Sequence, residues 1–353
     1  MRFKAGIQNI NTFNKFTASL ASLSPVAWVR LDETEVRFTV IPEQGTQVWS
    51  VLSIETIFEQ YTIQSAADNV VNLEVPLPSL QRALKSALNA TSANIRLTKK
   101  DGLPILCLTI VSTSNAPNQF SAFGSTASRD DGPSYDDSQI SNVTDGLSRH
   151  RETIITQDIP VRVMSMANVQ GIHEPRCREP DVYIVLPPLL QLKSISDRFT
   201  RLAMTSRASA SGGGGTASSS SSGPKLEMSA NMHGCLRLGI RTDAMNISSV
   251  WTKLSNPDLD PAVVEGGDEG VLQHPSTRMK ELGDAEGRSE EGWATVRIDG
   301  RDWGKVMSVG RLAGRVIACF CHEHALILYV YLSNSDEDRD VSVLTYYVSS
   351  YSP

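Results

Sequence analysis

A chain of 353 residues exceeds the usual size of one domain and suits two compact cores with some extra loop. Its 40% apolar and 20% charged residues exclude a disordered or fibrous chain, and no run reaches the roughly 18 apolar residues of a membrane span. The net charge of -6 is uneven: Ser255–Gly292 holds ten acids against three bases, net -7, leaving +1 elsewhere, so a basic surface for nucleic acid is not excluded.

Met1–Phe13 alternates polar and apolar residues without the long apolar stretch of a secretory signal, which predicts a soluble, intracellular protein. Short β-branched runs bounded by turns predict strands over 2–9, 27–31, 35–41, 48–54, 71–75, 95–98 and 105–111. Two helices interrupt them. Phe13, Phe16, Leu20 and Leu23 form one apolar stripe, and Leu80, Leu84, Ala87 and Leu88 form another, with Pro78 or Ser79 at its start. Over Ile154–Met164, Ile159, Val161 and Val163 alternate against Pro160 and Arg162. Proline donates no ladder hydrogen bond, so this run is expected on a sheet edge.

The second half repeats that order. A strand at 182–186 precedes a helix opened by Pro187 and Pro188, with the stripe Leu189, Leu192, Ile195, Phe199 and Leu202. Strands follow at 225–231, 235–241, 244–251 and 294–298, then a helix at 301–312, then strands at 316–321, 325–332 and 341–348. Strand, helix, strands, helix, strands in each half is a repeat of topology rather than of residues. The expected organisation is a first domain over 1–164, a polar connector over 165–180 interrupted by Pro175 and Pro180, and a second domain over 181–353. Three stretches, 112–151, 207–224 and 255–292, combine Gly, Ser, Pro and charge with no apolar period and are expected as insertions outside the core.

Enzyme-like chemistry is sparse. Cys319, Cys321, His322 and His324 invite a metal-site reading, but structural zinc takes two separated ligand pairs and no second pair exists. On a strand the two cysteines share one face and the histidines the other, which predicts core thiols followed by a polar turn. The five cysteines are odd in number and scattered, so disulfides are not expected, and Asn89, Asn142 and Asn246 are chance sequons. Gly212–Gly215 lacks the Gly-Lys-Ser/Thr of a phosphate loop. No cofactor and no catalytic residue is assigned.

The helices carry more information. Opposite their apolar stripes lie Lys15, Ser19 and Ser22 on the first, Arg82, Lys85 and Asn89 on the second, Lys193, Arg198 and Arg201 on the third, and Arg301, Lys305 and Arg311 on the fourth, with Asp197 the one acid. A solvated helix face explains any one of these alone. Four on a repeated framework point to a shared basic surface.

The strings MRFKA at Met1, FNKFTASL at Phe13, LQRALKSALNA at Leu80, QDIPVRV at Gln157, EPDVYIVLPPL at Glu179 and YYV at Tyr346 resemble the Hus-type subunit of the heterotrimeric DNA-damage checkpoint clamp, a relative of proliferating cell nuclear antigen. The resemblance covers nearly the whole chain outside the insertions. It implies an α+β sliding-clamp fold of two domains, with antiparallel sheets outside and helices facing a central hole. The nine basic residues Lys15, Arg82, Lys85, Lys193, Arg198, Arg201, Arg301, Lys305 and Arg311 would line the channel around double-stranded DNA. Edge strands carrying Ile159, Pro160, Val161 and Val163, and Asn246, Ile247 and Ser248, would pair with two other clamp-fold subunits. It further implies a nuclear, non-catalytic protein without an ATP or metal site, placed on DNA by an ATP-dependent clamp loader and recruiting checkpoint and repair proteins, with no membrane contact. The alternatives are a subunit of a homotrimeric replication clamp and a metal-dependent enzyme built on Cys319–His324.

Overall fold

The computed structural model describes residues 1–114, 151–210, 224–242, 245–262, 264–312, 314–332 and 342–351. The first half runs β1 (Arg2–Ile7), α1 (Ile10–Ala21), β2 (Val26–Leu31), β3 (Glu35–Val40), β4 (Gln47–Ser53), α2 (Ile54–Ile57), β5 (Phe58–Gln64), β6 (Val71–Pro76), α3 (Leu77–Ser86), β7 (Ser92–Lys100), β8 (Leu103–Ser114), β9 (Arg151–Pro160) and β10 (Arg162–Val163). A single turn, α4 (Met166–Val169), begins the connector. The second half runs β11 (Val182–Val185), α5 (Leu189–Ala210), β12 (Lys225–Ala230), β13 (Leu236–Thr242), β14 (Met245–Trp251), α6 (Gly267–Gln273), α7 (Pro275–Lys280), β15 (Ala294–Asp299), α8 (Gly300–Val306), a 3-10 segment (Met307–Leu312), β16 (Arg315–Cys321), β17 (Ala325–Tyr331) and β18 (Val343–Ser349).

The strands form a five-stranded sheet, β5-β1-β7-β8-β9, a four-stranded sheet, β14-β13-β12-β15, and a nine-stranded sheet, β10-β6-β2-β3-β4-β18-β17-β16-β11. Cutting the last between β4 and β18 exposes the repeat: β6-β2-β3-β4 has the connectivity of β15-β12-β13-β14, and β11-β16-β17-β18 that of β1-β7-β8-β9. The chain therefore joins its own halves by pairing its last strand with β4, Val343 opposite Val51 through Tyr347 opposite Gln47.

Local sequence explains the elements. Asn9 Oδ1 accepts from Thr12 N at 3.0 Å and starts α1, whose Phe13 and Phe16 meet Phe38 edge-on at 6.1 and 5.0 Å. Asp299 Oδ1 accepts from Arg301 N at 2.9 Å and starts α8. Helix α5 and the stretch from α8 through the 3-10 segment meet through small residues. A Cβ on Gly300 would lie 2.6 Å from Thr200 Oγ1, and one on Gly310 would lie 2.8 Å from Leu189 Cβ. Only glycine permits that approach. Helices α3, α1, the 3-10 segment and α5 follow one another as a continuous layer, α1 touching α3 on one side and the 3-10 segment on the other.

Several expectations need correction. The run at 154–164 is not one edge strand: β9 ends at Pro160 in the five-stranded sheet and β10 joins β6 in the nine-stranded one. The helix expected at 301–312 is α-helical only to Val306. Leu88 lies beyond α3 and is exposed, while Ser19 is buried, its hydroxyl donating to Phe16 O at 2.7 Å. In α5 Leu202 is 43% exposed, whereas Ser196, Thr200 and Ala203 are buried, Thr200 against Gly300 of α8. The stretch 255–292 carries α6 and α7, with His274 and Ser276 buried, and is tied down by Asn256 Nδ2, which donates to Tyr183 O at 2.6 Å and Asn231 O at 3.1 Å. The other two insertions fall mostly on 115–150 and 211–223, outside the described residues; their margins belong to β8, β9 and α5. Gly212–Gly215 lies outside them too.

Candidate nucleic-acid interface and assembly edges

The apolar sides of the helices face the sheets, and their outer sides carry the basic residues. Arg82, Lys85, Arg198, Arg201, Arg301, Lys305 and Arg311 are exposed; Lys15 and Lys193 are half-buried. Lys193 Nζ pairs with Asp197 Oδ2 at 2.9 Å, and Lys305 Nζ with Asp302 Oδ1 at 3.2 Å. Asp302 is thus a second acid on this surface, missed in the sequence although its spacing to Lys305 marks a helix pair. Arg201 Nε donates to Asp197 O at 3.3 Å. Among the described residues the other basic side chains of the set form no ion pair and can meet an external anion without first giving up a partner. The two existing pairs are exchangeable, since exposed ion pairs contribute only about 0–1 kcal/mol.

Among the described residues the sheets end at β5 and β9, β10 and β11, and β14 and β15, and the expected subunit contacts concern β9 and β14. Strand β14 is hydrogen-bonded to β13 alone, with Asn246, Ser248 and Val250 exposed and Ile247 half-buried. At the other edge of that sheet β15 is covered: Glu323 N donates to Thr295 O and Tyr351 N to Arg297 O, both at 2.8 Å. Strand β9 pairs only with β8, and Ile154 on it is 66% exposed. Of the residues expected on this edge, Pro160 is exposed, but Ile159 and Val161 are core side chains, Val161 N donates to Pro104 O at 3.2 Å, and Val163 sits opposite Leu73 of β6. The open part of the strand lies further back, where 152–156 are all exposed.

The connector crosses the outer face of the nine-stranded sheet. Tyr347 Oη donates to Glu174 Oε1 at 2.8 Å, and Arg178 pairs with Asp181 at 2.6 Å. One cross-strand row on that face runs Glu74, Trp28, Thr39, Trp49, Thr345, Tyr329, Ile317, Val185. Trp28, Thr39, Trp49 and Thr345 line a cavity of about 240 Å³, closed on one side by Val169, Ile172 and Glu174 of the connector. The sequence reading passed over these tryptophans, although each alternates with core residues on its strand and so points outward.

Cys319 and Cys321 share a buried face with Cys177, Tyr183 and Tyr329, while His322 and His324 sit exposed in and beside the turn. Burial pushes the Cys319 thiol up, and pushes Cys321 up to about 11. The histidines do not share the buried face of the thiols, so the four side chains do not converge as a ligand set. Among the described residues no group of three or more His, Cys, Asp or Glu is placed to hold a metal ion, and no helix is long and apolar enough to cross a membrane.

Two topologically repeated halves, closed by β4 and β18 and carrying helices on one side, define the sliding-clamp fold. Proliferating cell nuclear antigen from Thermococcus kodakaraensis superposes with a TM-score of 0.58 at 14% identity, covering 99% of this chain and 100% of that one. The Entamoeba histolytica protein superposes at 0.56 and 11%, covering 99% and 98%. The sequence matches the family described as Hus1-like protein over residues 1–352. It is 36% identical over 352 residues to checkpoint protein hus1 of Schizosaccharomyces pombe, spanning 99% of each chain. It is 25% identical over 267 residues to checkpoint protein HUS1 of Homo sapiens, spanning 73% of this chain and 76% of that one. The chain belongs to the Hus1-like family: it is a non-catalytic checkpoint clamp subunit.

Proposed function

We propose that this chain closes a ring with two other clamp-fold subunits, pairing β9 with one neighbour and β14 with the other, while the basic residues of its helix layer face the enclosed double-stranded DNA. The observation that carries this reading is internal. In the repeat, β9 corresponds to β18 and β14 to β4, and β18 and β4 pair within the chain while their counterparts stay open. An open edge is a template for another strand.

On the inner side, Lys15, Arg82, Lys85, Lys193, Arg198, Arg201, Arg301, Lys305 and Arg311 contact phosphate. Such contacts carry no sequence information and let the ring slide. An ATP-dependent clamp loader opens the ring onto DNA in the nucleus, and the tryptophan-lined cavity beside the connector takes peptides of checkpoint and repair proteins.

Co-expression with two other clamp-fold checkpoint subunits, followed by light scattering, tests the assembly. The expected result is a complex containing the three chains in equal amounts. A stable homotrimer of this chain alone would overturn the reading in favour of a replication-type ring.

A further inference from the structure

A second cavity, of about 560 Å³, opens on the outer face of the nine-stranded sheet in the second half. Its floor is aromatic. Tyr183 of β11 stands opposite Cys319, and Tyr329 of β17 opposite Ile317. Its roof is the acidic stretch after β14, through Asp258, Asp260 and Glu265, with Glu179 of the connector also on the lining. The roof is held in place: Asn256 is tied to two backbone carbonyls, and the buried His274 ring lies 5.8 Å from that of Tyr183.

We propose that this cavity docks a basic peptide segment of a partner protein, taking an arginine or lysine side chain between the tyrosine floor and the carboxylate roof. Charge complementarity selects that occupant. Among the described residues the four carboxylates form no ion pair with any base of the chain, so the cavity carries uncompensated negative charge over half-buried aromatic rings. A cation over a tyrosine face is attracted by the ring quadrupole, and a guanidinium can also donate hydrogen bonds to a flanking carboxylate. An acidic or purely apolar ligand would leave that charge unmet.

Anisotropy of a fluorescein-labelled hexa-arginine peptide on the purified full chain tests it, with hexa-glutamate as the counterpart. The expected result is binding of the first and not the second, weakened about tenfold or more by Asp258→Asn with Asp260→Asn. Tyr329→Leu should weaken it several-fold and Tyr329→Phe should leave it unchanged, because phenylalanine keeps the ring face. Glu290→Gln with Glu291→Gln, equally acidic but off the cavity, is the control. Unchanged affinity in the Asp258, Asp260 variant, or an equal loss in the Glu290, Glu291 control, would overturn the proposal. Matched melting curves would show that each variant is folded.

Discussion

The seam at β4 and β18 and the two open edges at β9 and β14 are the same structural element in two states. At the closed seam the inner side chains Val48, Leu344 and Tyr346 are fully buried, and Ser342 Oγ accepts from Ser53 N at 3.1 Å. The helices meet above it, Ser22 Oγ lying 3.1 Å from Ser308 Oγ and donating to Lys305 O at 3.3 Å. At the open edges equivalent strands show Ile154 and Val250 to solvent, and each has a helix beside it. Gln157 Nε2 of β9 donates to Ser86 Oγ at the end of α3 at 2.6 Å, and α5 rests on β14. The comparison teaches that this chain is built as a length of ring whose cut ends repeat its own middle. A neighbour that reproduced the closed seam would also bring α3 of one subunit against the counterpart of α5 in the next.

The largest effect should come from breaking the closed seam. Tyr346→Ala removes a fully buried ring between the halves and should destabilise the chain by about 3–5 kcal/mol, read from urea unfolding. If the loss is under about 1 kcal/mol, the seam is not a core and the two halves fold independently of it. Charging the open edges should do the reverse. Ile154→Glu or Val250→Glu places a carboxylate on an already solvated side chain, so the isolated chain should change by no more than about 0.5 kcal/mol. Assembly with partner subunits should weaken by about 1–3 kcal/mol for each, the cost of burying an unpaired polar group. Equal yields of heterotrimer from both variants and wild type would remove β9 and β14 from the interface.

Alternation made most strands legible in the sequence, because one face of each sheet meets the core and the other meets solvent or the connector. Strand β5 escaped, since Gln60 has φ +49 and breaks the period within Phe58–Gln64. Helices α6 and α7 escaped because α6 buries no residue and α7 buries only the polar Ser276, which the capping His274 satisfies at 2.8 Å. The face of α5 was misread at Leu202, where hydrophobicity pointed inward while Ser196, Thr200 and Ala203 take the buried positions, Thr200 against Gly300. On the candidate surface, the basic residues were readable as the sides opposite the apolar stripes. The pairing of Lys305 with Asp302 was readable from its spacing along one helix, whereas the break at Pro160 depends on which sheets become neighbours, which no local pattern contains.

The smallest effect on the fold, and the finest test of the seams, concerns charge. Arg82 and Lys85 lie on α3 beside one open edge, Arg198 and Arg201 on α5 beside the other, and all four are exposed without an ion pair among the described residues. Each phosphate contact adds about 0.9 to the slope of log affinity against log salt on duplex DNA, so alanine at all four should lower that slope by about 3–4. Lys193 and Lys305 already face Asp197 and Asp302. A phosphate would displace a carboxylate there and release little counterion, so the double alanine variant should lower the slope by less than about 1. Retention of the assembled ring on circular DNA across a salt series measures both. If the ring closes as the repeat implies, the fourfold variant loses contacts at both junctions between subunits, and its slope falls while the complex stays intact. Equal slopes for wild type and the fourfold variant would mean that these side chains are a solvated helix face, and that the DNA path runs along the residues near the closed seam instead.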